Sequence, residues 1–137
     1  MYTFGGYGRN DAYICSIERL NAFSYFEEGD TSQGWELVPF DCPSLTPRVA
    51  SSIAAVSDDE ILIVGGGKNP NYFSDVHQLN TTTNQVSKLC DHNAEFKLVN
   101  PSNQCQIMAD QTLISLVRNL KDDCIHLVSY KKGEQVK

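Results

Sequence analysis

Long apolar runs are missing from this sequence: the most apolar stretch, Ile61-Leu62-Ile63-Val64, falls far short of the roughly 20 residues a membrane-spanning helix needs. Basic runs are missing too. With 11 Lys+Arg against 17 Asp+Glu, a formal charge of −6 and no basic run longer than Lys131-Lys132, the chain lacks the footprint that phosphate contacts require, so nucleic acid is not expected as a partner. The opening residues, Met1-Tyr2-Thr3-Phe4-Gly5-Gly6, have neither the basic start nor the apolar core of an export signal. A soluble, cytoplasmic chain with no membrane partner is the expectation. The five cysteines, at 15, 42, 90, 105 and 124, are odd in number, irregularly spaced and contain no CxxC pair, which indicates neither a disulfide framework nor a zinc finger and fits reduced thiols. Cys90-Asp91-His92 and Cys124-Ile125-His126 are the close Cys/His pairs, read as ordinary core or loop residues; no metal and no cofactor is expected. Without an export signal, the sequon Asn80-Thr81-Thr82 reads as a polar turn.

What is present is the composition of one globular domain: 137 residues, 41% hydrophobic and 20% charged. Charge is uneven along it. Residues 1–47 hold seven acids and two bases, an excess of five, whereas residues 48–137 hold ten acids and nine bases, an excess of one. Glu27, Glu28, Asp30, Glu36 and Asp41 have no Lys or Arg between Leu20 and Pro47 to offset them. Such a segment is first of all a solvated loop, and secondly a surface for a basic partner.

Internal repetition organises the rest. Tyr2-Thr3-Phe4-Gly5-Gly6 followed by Asn10-Asp11-Ala12-Tyr13-Ile14-Cys15 matches Leu62-Ile63-Val64-Gly65-Gly66 followed by Ser74-Asp75-Val76-His77-Gln78-Leu79, 60 residues on. A third, worn copy emerges when Ile53 to Val64 is laid without gaps on Gln106 to Val117, with Arg118-Asn119 in place of the glycines and Asp123-Cys124-Ile125-His126-Leu127 as the Asp-led strand. Within the copies, β-branched and aromatic runs alternate with Gly, Asn, Asp, Ser and Pro. The middle copy reads as strands near 49–56, 61–65, 75–79 and 85–89, an antiparallel unit with turns at Ser57-Asp58-Asp59 and Asn80 to Asn84 and a longer loop from Gly66 to Tyr72. The first copy begins at its second strand and carries an insertion, 18–34, before a strand around Trp35-Glu36-Leu37-Val38. The third has strands near 104–109, 113–117 and 124–130 and an uncertain one near 134–137. No amphipathic helix stands out.

These residues resemble the kelch repeat, a hydrophobic strand ending in Gly-Gly, then an Asp-led strand with an aromatic residue, then a Trp strand. The first copy supplies Gly5, Gly6, Asp11, Tyr13 and Trp35; the second supplies Gly65, Gly66 and Asp75, with Arg48 before its first strand, His77 at the aromatic position and Val86 at that of the tryptophan. The third lacks the glycines and has Ile125 at the aromatic position. The resemblance implies an all-β fold of kelch-type β-propeller blades, each a four-stranded antiparallel sheet, in an incomplete ring: 1–47 a first blade with its insertion, 48–101 a second, 102–137 a degenerate third. Glycines at strand ends open backbone angles closed to other residues, and large aromatics fill the wedge between sheets, so Gly5, Gly6, Asp11, Tyr13, Trp35, Gly65, Gly66 and Asp75 are expected to serve the fold. The chain is then a fragment of a longer kelch protein, an open half-ring, or one half of a homodimeric ring, and the first is favoured.

Ligands of kelch propellers meet the loops between second and third strands and between blades. Here those loops hold Tyr7, Arg9 and Asn10, then Lys68, Asn69, Asn71 and Tyr72, with Arg48 at a blade entrance. Arginine pairs bidentately with carboxylates and tyrosine adds apolar area with a polar tip, which points to a protein or acidic peptide partner. For each arginine the structural reading, a pairing of Arg48 or Arg9 with Asp75 or Asp11 that fixes blade packing, has equal weight. No catalytic residue is nominated: Ser51-Ser52 and the three histidines form no recognisable nucleophile, base and acid, and Glu27-Glu28 and Asp58-Asp59-Glu60 are solvated turn acids. A protein-interaction module is the expected function. A sugar-processing propeller enzyme and a structural fragment without a binding role of its own are the alternatives.

Overall fold

The computed structural model describes residues 1–29, 34–91, 106–109, 112–118 and 125–131. Three antiparallel sheets follow one another along the chain. The first joins β1 (Tyr2–Phe4), β2 (Ile17–Arg19) and β3 (Glu36–Val38) in that order, with a short helix α1 (Ala22–Phe26) in the connection between β2 and β3. The middle sheet joins β4 (Ser52–Ala55), β5 (Glu60–Val64), β8 (Asp75–Asn80) and β9 (Gln85–Asp91), and the connection from β5 to β8 holds a two-stranded hairpin of β6 (Gly67–Lys68) and β7 (Asn71–Tyr72). The third joins β10 (Gln106–Ala109), β11 (Thr112–Arg118) and β12 (Ile125–Lys131). β10 runs beside β4, so the third sheet adjoins the β4 edge of the middle one. The expected strand near 134–137 lies outside the described residues.

The unbroken apolar run of β5 has a plain cause: the middle sheet is covered on both faces. Ile61, Ile63 and Leu79 pack with Ile17, Val38 and Leu45, together with Tyr2, Phe4, Phe40 and Val86, and this cluster fills the wedge between the first two sheets. Leu62, Val64 and Val76 pack on the opposite face with Ala54, Val56 and Leu89. Truncating a buried leucine such as Leu79 removes contacts from that wedge and costs about 2–5 kcal/mol.

The turns follow local chemistry. The Asn80 side-chain oxygen accepts from the Thr82 and Thr83 amides at 3.0 and 2.8 Å, closing the polar turn between β8 and β9, and Asn84 completes it at φ 57°. Gly65 and Gly66 leave β5 at φ 60° and 99°, and Gly5 and Gly6 leave β1 at 69° and 118°, angles that a side chain resists. At Gly5 a β-carbon would also lie 2.5 Å from the Arg48 carbonyl oxygen.

Register corrects the repeat alignment at two places. Phe4 pairs with Ile17 and Val64 with Val76, so the residue of the first sheet equivalent to Asp75 is Ser16, and the one equivalent to His77 is Glu18. Asp11 and Tyr13 instead belong to the loop before β2, where Asn10 and Asp11 turn the chain at left-handed φ of 60° and 55°. In the third sheet Leu116 pairs with Leu127, which places Leu127, not Ile125, opposite the strand as His77 is in the middle one. Its first hairpin pairs Gln106 with Ser115, one residue out of the register that an ungapped overlay on Ile53 and Ile63 requires. Helix α1 was not anticipated either, because five residues are too few to show a period.

Candidate interaction rim

Residues 5–16, which connect β1 to β2, and residues 65–75, which connect β5 to β8, emerge side by side and meet at Tyr13 and Asn69. The first loop folds back on itself. Gly8 N–H donates to Ala12 C=O at 2.7 Å, Ile14 N–H to Gly6 C=O at 3.0 Å, and Tyr7 bridges to Tyr13. The two rings lie with centroids 5.0 Å apart, and the Tyr7 hydroxyl donates to the Tyr13 oxygen at 3.2 Å. From the other loop the Asn69 N–H donates to the same Tyr13 oxygen at 3.0 Å, and the Lys68 ammonium stands 5.8 Å from the centre of that ring. Two segments 56 residues apart in sequence are thereby joined through one phenol.

That arrangement polarises the pair. Accepting from Tyr7 and Asn69, with Lys68 nearby, lowers Tyr13 below the ordinary 10.0 of a phenol, whereas Tyr7, as donor to Tyr13, is held above it. Tyr7 is 61% exposed. Of the residues expected at this surface, Tyr7, Arg9, Asn10, Lys68, Asn69, Asn71 and Tyr72 are all exposed. Tyr13, assigned from sequence to the wedge between sheets, lies on the rim instead.

Arg48 is inside. At 1% exposure it has no surface to offer a partner. Its guanidinium donates to Asp75 Oδ1 and Oδ2 at 2.5 and 3.1 Å, to the Gly65 carbonyl at 3.0 Å and to the Thr46 carbonyl at 3.0 Å, and it stacks 4.0 Å from the Phe73 ring centre. Its own backbone accepts from Gly6 N–H at 3.0 Å and donates to Ile14 C=O at 3.2 Å, so it anchors the roots of both rim loops. His77, fully buried, has Nε2 3.0 Å from Ser44 Oγ and Nδ1 3.8 Å from Asp75 Oδ2. With Asp75 committed to Arg48, this array orients a core histidine. Burial pushes the Cys15 thiol above its ordinary 9.0, with Arg48 offsetting part of the rise, and its Sγ–H donates to Leu45 C=O at 2.8 Å; such a thiol is a poor nucleophile. Trp35 is 45% exposed at the entry to β3, on the uncovered face of the first sheet, and does not fill the wedge expected of it.

No set of three or more His, Cys, Asp or Glu side chains among the described residues gathers as a metal site. The Cys90/His92 and Cys124/His126 pairs lie outside the described side chains. None of the described helices is long and apolar enough to cross a membrane.

The kelch motif family matches residues 54–89, from within β4 to within β9. That segment is a kelch repeat. A solved structure titled "Structure of YjhT" superimposes with a TM-score of 0.64 at 17% identity over 86% of this chain, an identity at which likeness shows the fold alone. This chain spans 42% of the length of that structure. Curated proteins provide no match. The buried Arg48–Asp75 pair and the Gly65-Gly66 turn are thus the interior of a kelch blade, and the tyrosine cluster sits on the loops that such blades display.

Proposed function

We propose that this kelch chain is a protein-interaction module, cytoplasmic and part of a longer ring, whose docking surface is the rim made by residues 5–16 and 65–75. One observation carries the reading: the Tyr13 hydroxyl joins the two loops, accepting from Tyr7 and from Asn69 N–H beside Lys68. A surface pre-assembled in this way loses little conformational freedom on binding, which favours affinity over an equal area of mobile loop. The ligand class follows from the groups displayed. Lys68 and Arg9 supply positive charge and the exposed rings of Tyr7 and Tyr72 cover aliphatic carbon, so an acidic peptide segment fits. Membership of a longer ring is supported by the uncovered face of the first sheet, where Trp35 and Leu37 are exposed.

Fluorescence anisotropy with a labelled Glu/Leu-rich peptide and a Gln/Leu-rich control of the same pattern tests this. The expectation is binding of the acidic peptide and not of the neutral control, weakened at least about tenfold by Tyr7→Ala with Lys68→Ala at an unchanged melting temperature. Equal binding by wild type and double variant would overturn the rim assignment.

A further inference from the structure

The insertion between β2 and β3 leaves the first sheet at the end opposite the tyrosine rim, because consecutive connections of a meander alternate ends. Its root is fixed. Leu20 is buried, its amide donates to Met1 C=O at 2.9 Å, the Met1 ammonium donates to Leu20 C=O at 2.8 Å, and Arg19 pairs with Glu36 at 2.8 Å across the base. Asn21 then caps α1, its side-chain oxygen accepting from Ser24 N–H at 3.3 Å while its amide donates to Ser24 Oγ at 3.0 Å. The helix closes with Glu27 N–H donating to Phe23 C=O at 2.8 Å.

What α1 displays is the reverse of an ordinary surface helix. Its small residues, Ala22 and Ser24, are half-buried, while Phe23 and Phe26, three apart and therefore on one side, are 64% and 66% exposed. Tyr25 meets Phe26 edge to face with centroids 5.0 Å apart, which restrains the second ring. Glu27 and Glu28 follow, both exposed, in a stretch of sequence without a single Lys or Arg from Asn21 to Pro47.

We propose that α1 is a second docking element, a preformed aromatic knob that enters an apolar cleft bordered by Lys or Arg on a partner protein. Two independent features lead to that occupant. Paired exposed phenylalanines on a capped turn match the anchor spacing of helix-in-groove recognition, and the uncompensated acids beside them choose a basic border. The kelch chain thereby carries two surfaces of opposite charge preference at opposite ends of its sheets, the arrangement of an adaptor that holds two partners at once. The inference does not rest on the tyrosine rim.

The probe is a synthetic helical peptide of Leu and Lys in amphipathic order, with a neutral Leu/Gln peptide of the same pattern as control, titrated calorimetrically into the whole chain. The Leu/Lys peptide is expected to bind and the Leu/Gln peptide not. Phe23→Ala with Phe26→Ala should weaken binding at least about thirtyfold, Glu27→Lys with Glu28→Lys about tenfold with loss of the salt dependence, and Tyr7→Ala with Lys68→Ala should leave it unchanged. Circular dichroism of each variant shows that the sheets persist. Binding of both peptides alike, binding of neither, or wild-type affinity in the phenylalanine variant would overturn the proposal. So would self-association of the wild-type chain that the phenylalanine variant abolishes, since the occupant would then be a second copy.

Discussion

In the middle sheet the strand after the glycine pair begins at Asp75, enclosed with Arg48; in the first sheet the same place is held by Ser16, whose hydroxyl donates to Glu18 at 3.4 Å. The backbone around the two corners is nevertheless the same, with Gly65 N–H donating to Asp75 C=O at 2.9 Å and Gly5 N–H to Ser16 C=O at 3.0 Å. The glycines and the main chain therefore make the corner by themselves. The ion pair is a separate device, one that fixes the connection from the preceding blade and that becomes a liability if either half is lost.

The largest test of that distinction is Asp75→Ala, which leaves the Arg48 guanidinium buried and short of its carboxylate and is expected to destabilise the chain by about 3–5 kcal/mol in urea unfolding, whereas Ser16→Ala should cost under about 1 kcal/mol. Similar losses at the two positions would break the comparison. Next in size are the glycines. Gly5→Ala meets both a left-handed backbone at φ +69° and the Arg48 carbonyl, and is expected to cost roughly 2 kcal/mol or more; Gly29→Ala, at φ +67° with nothing within 4 Å, should cost about 1 kcal/mol from strain alone. Thermal melts of the two variants separate contact from conformation. The smallest effect is on titration: in an ultraviolet pH titration Tyr13 should ionise before Tyr7, and Tyr7→Phe should move Tyr13 back up toward 10.0. A lowered Tyr13 favours the folded rim above the unfolded pKa and a raised Tyr7 opposes it there, so the two contributions to stability oppose one another.

The strands of the middle blade were legible because each carries its own signal, a β-branched run between turn formers, and because Arg48 and Asp75 keep the kelch pattern. The same pattern misled where it had decayed. Requiring an aspartate to lead the third strand drew the alignment to Asp11 and Asp123, whereas pairing places Ser16 and Ile125 at that position. Counting from the glycines would have served better: Gly5 to Ser16 spans 11 residues and Gly65 to Asp75 spans 10, close to equal, because loop length and not residue type is what closes the sheet. Burial was the other obscure quantity. An arginine at a blade entrance reads equally as a binding residue and as the packing partner of Asp75, 27 positions on, until the pair is seen in space, and no period in the sequence distinguishes an exposed Phe23 from a core one.

Arg48 touches both rim loops at once, through its backbone to Gly6 and Ile14 and through its side chain to Gly65 and Asp75. Opening one loop therefore strains the fastening of the other, and their amides are expected to exchange as a single cooperative unit. A ligand seated on either loop is then expected to slow exchange in both, so that the middle blade would sense occupancy of the first without any change in the path of its strands.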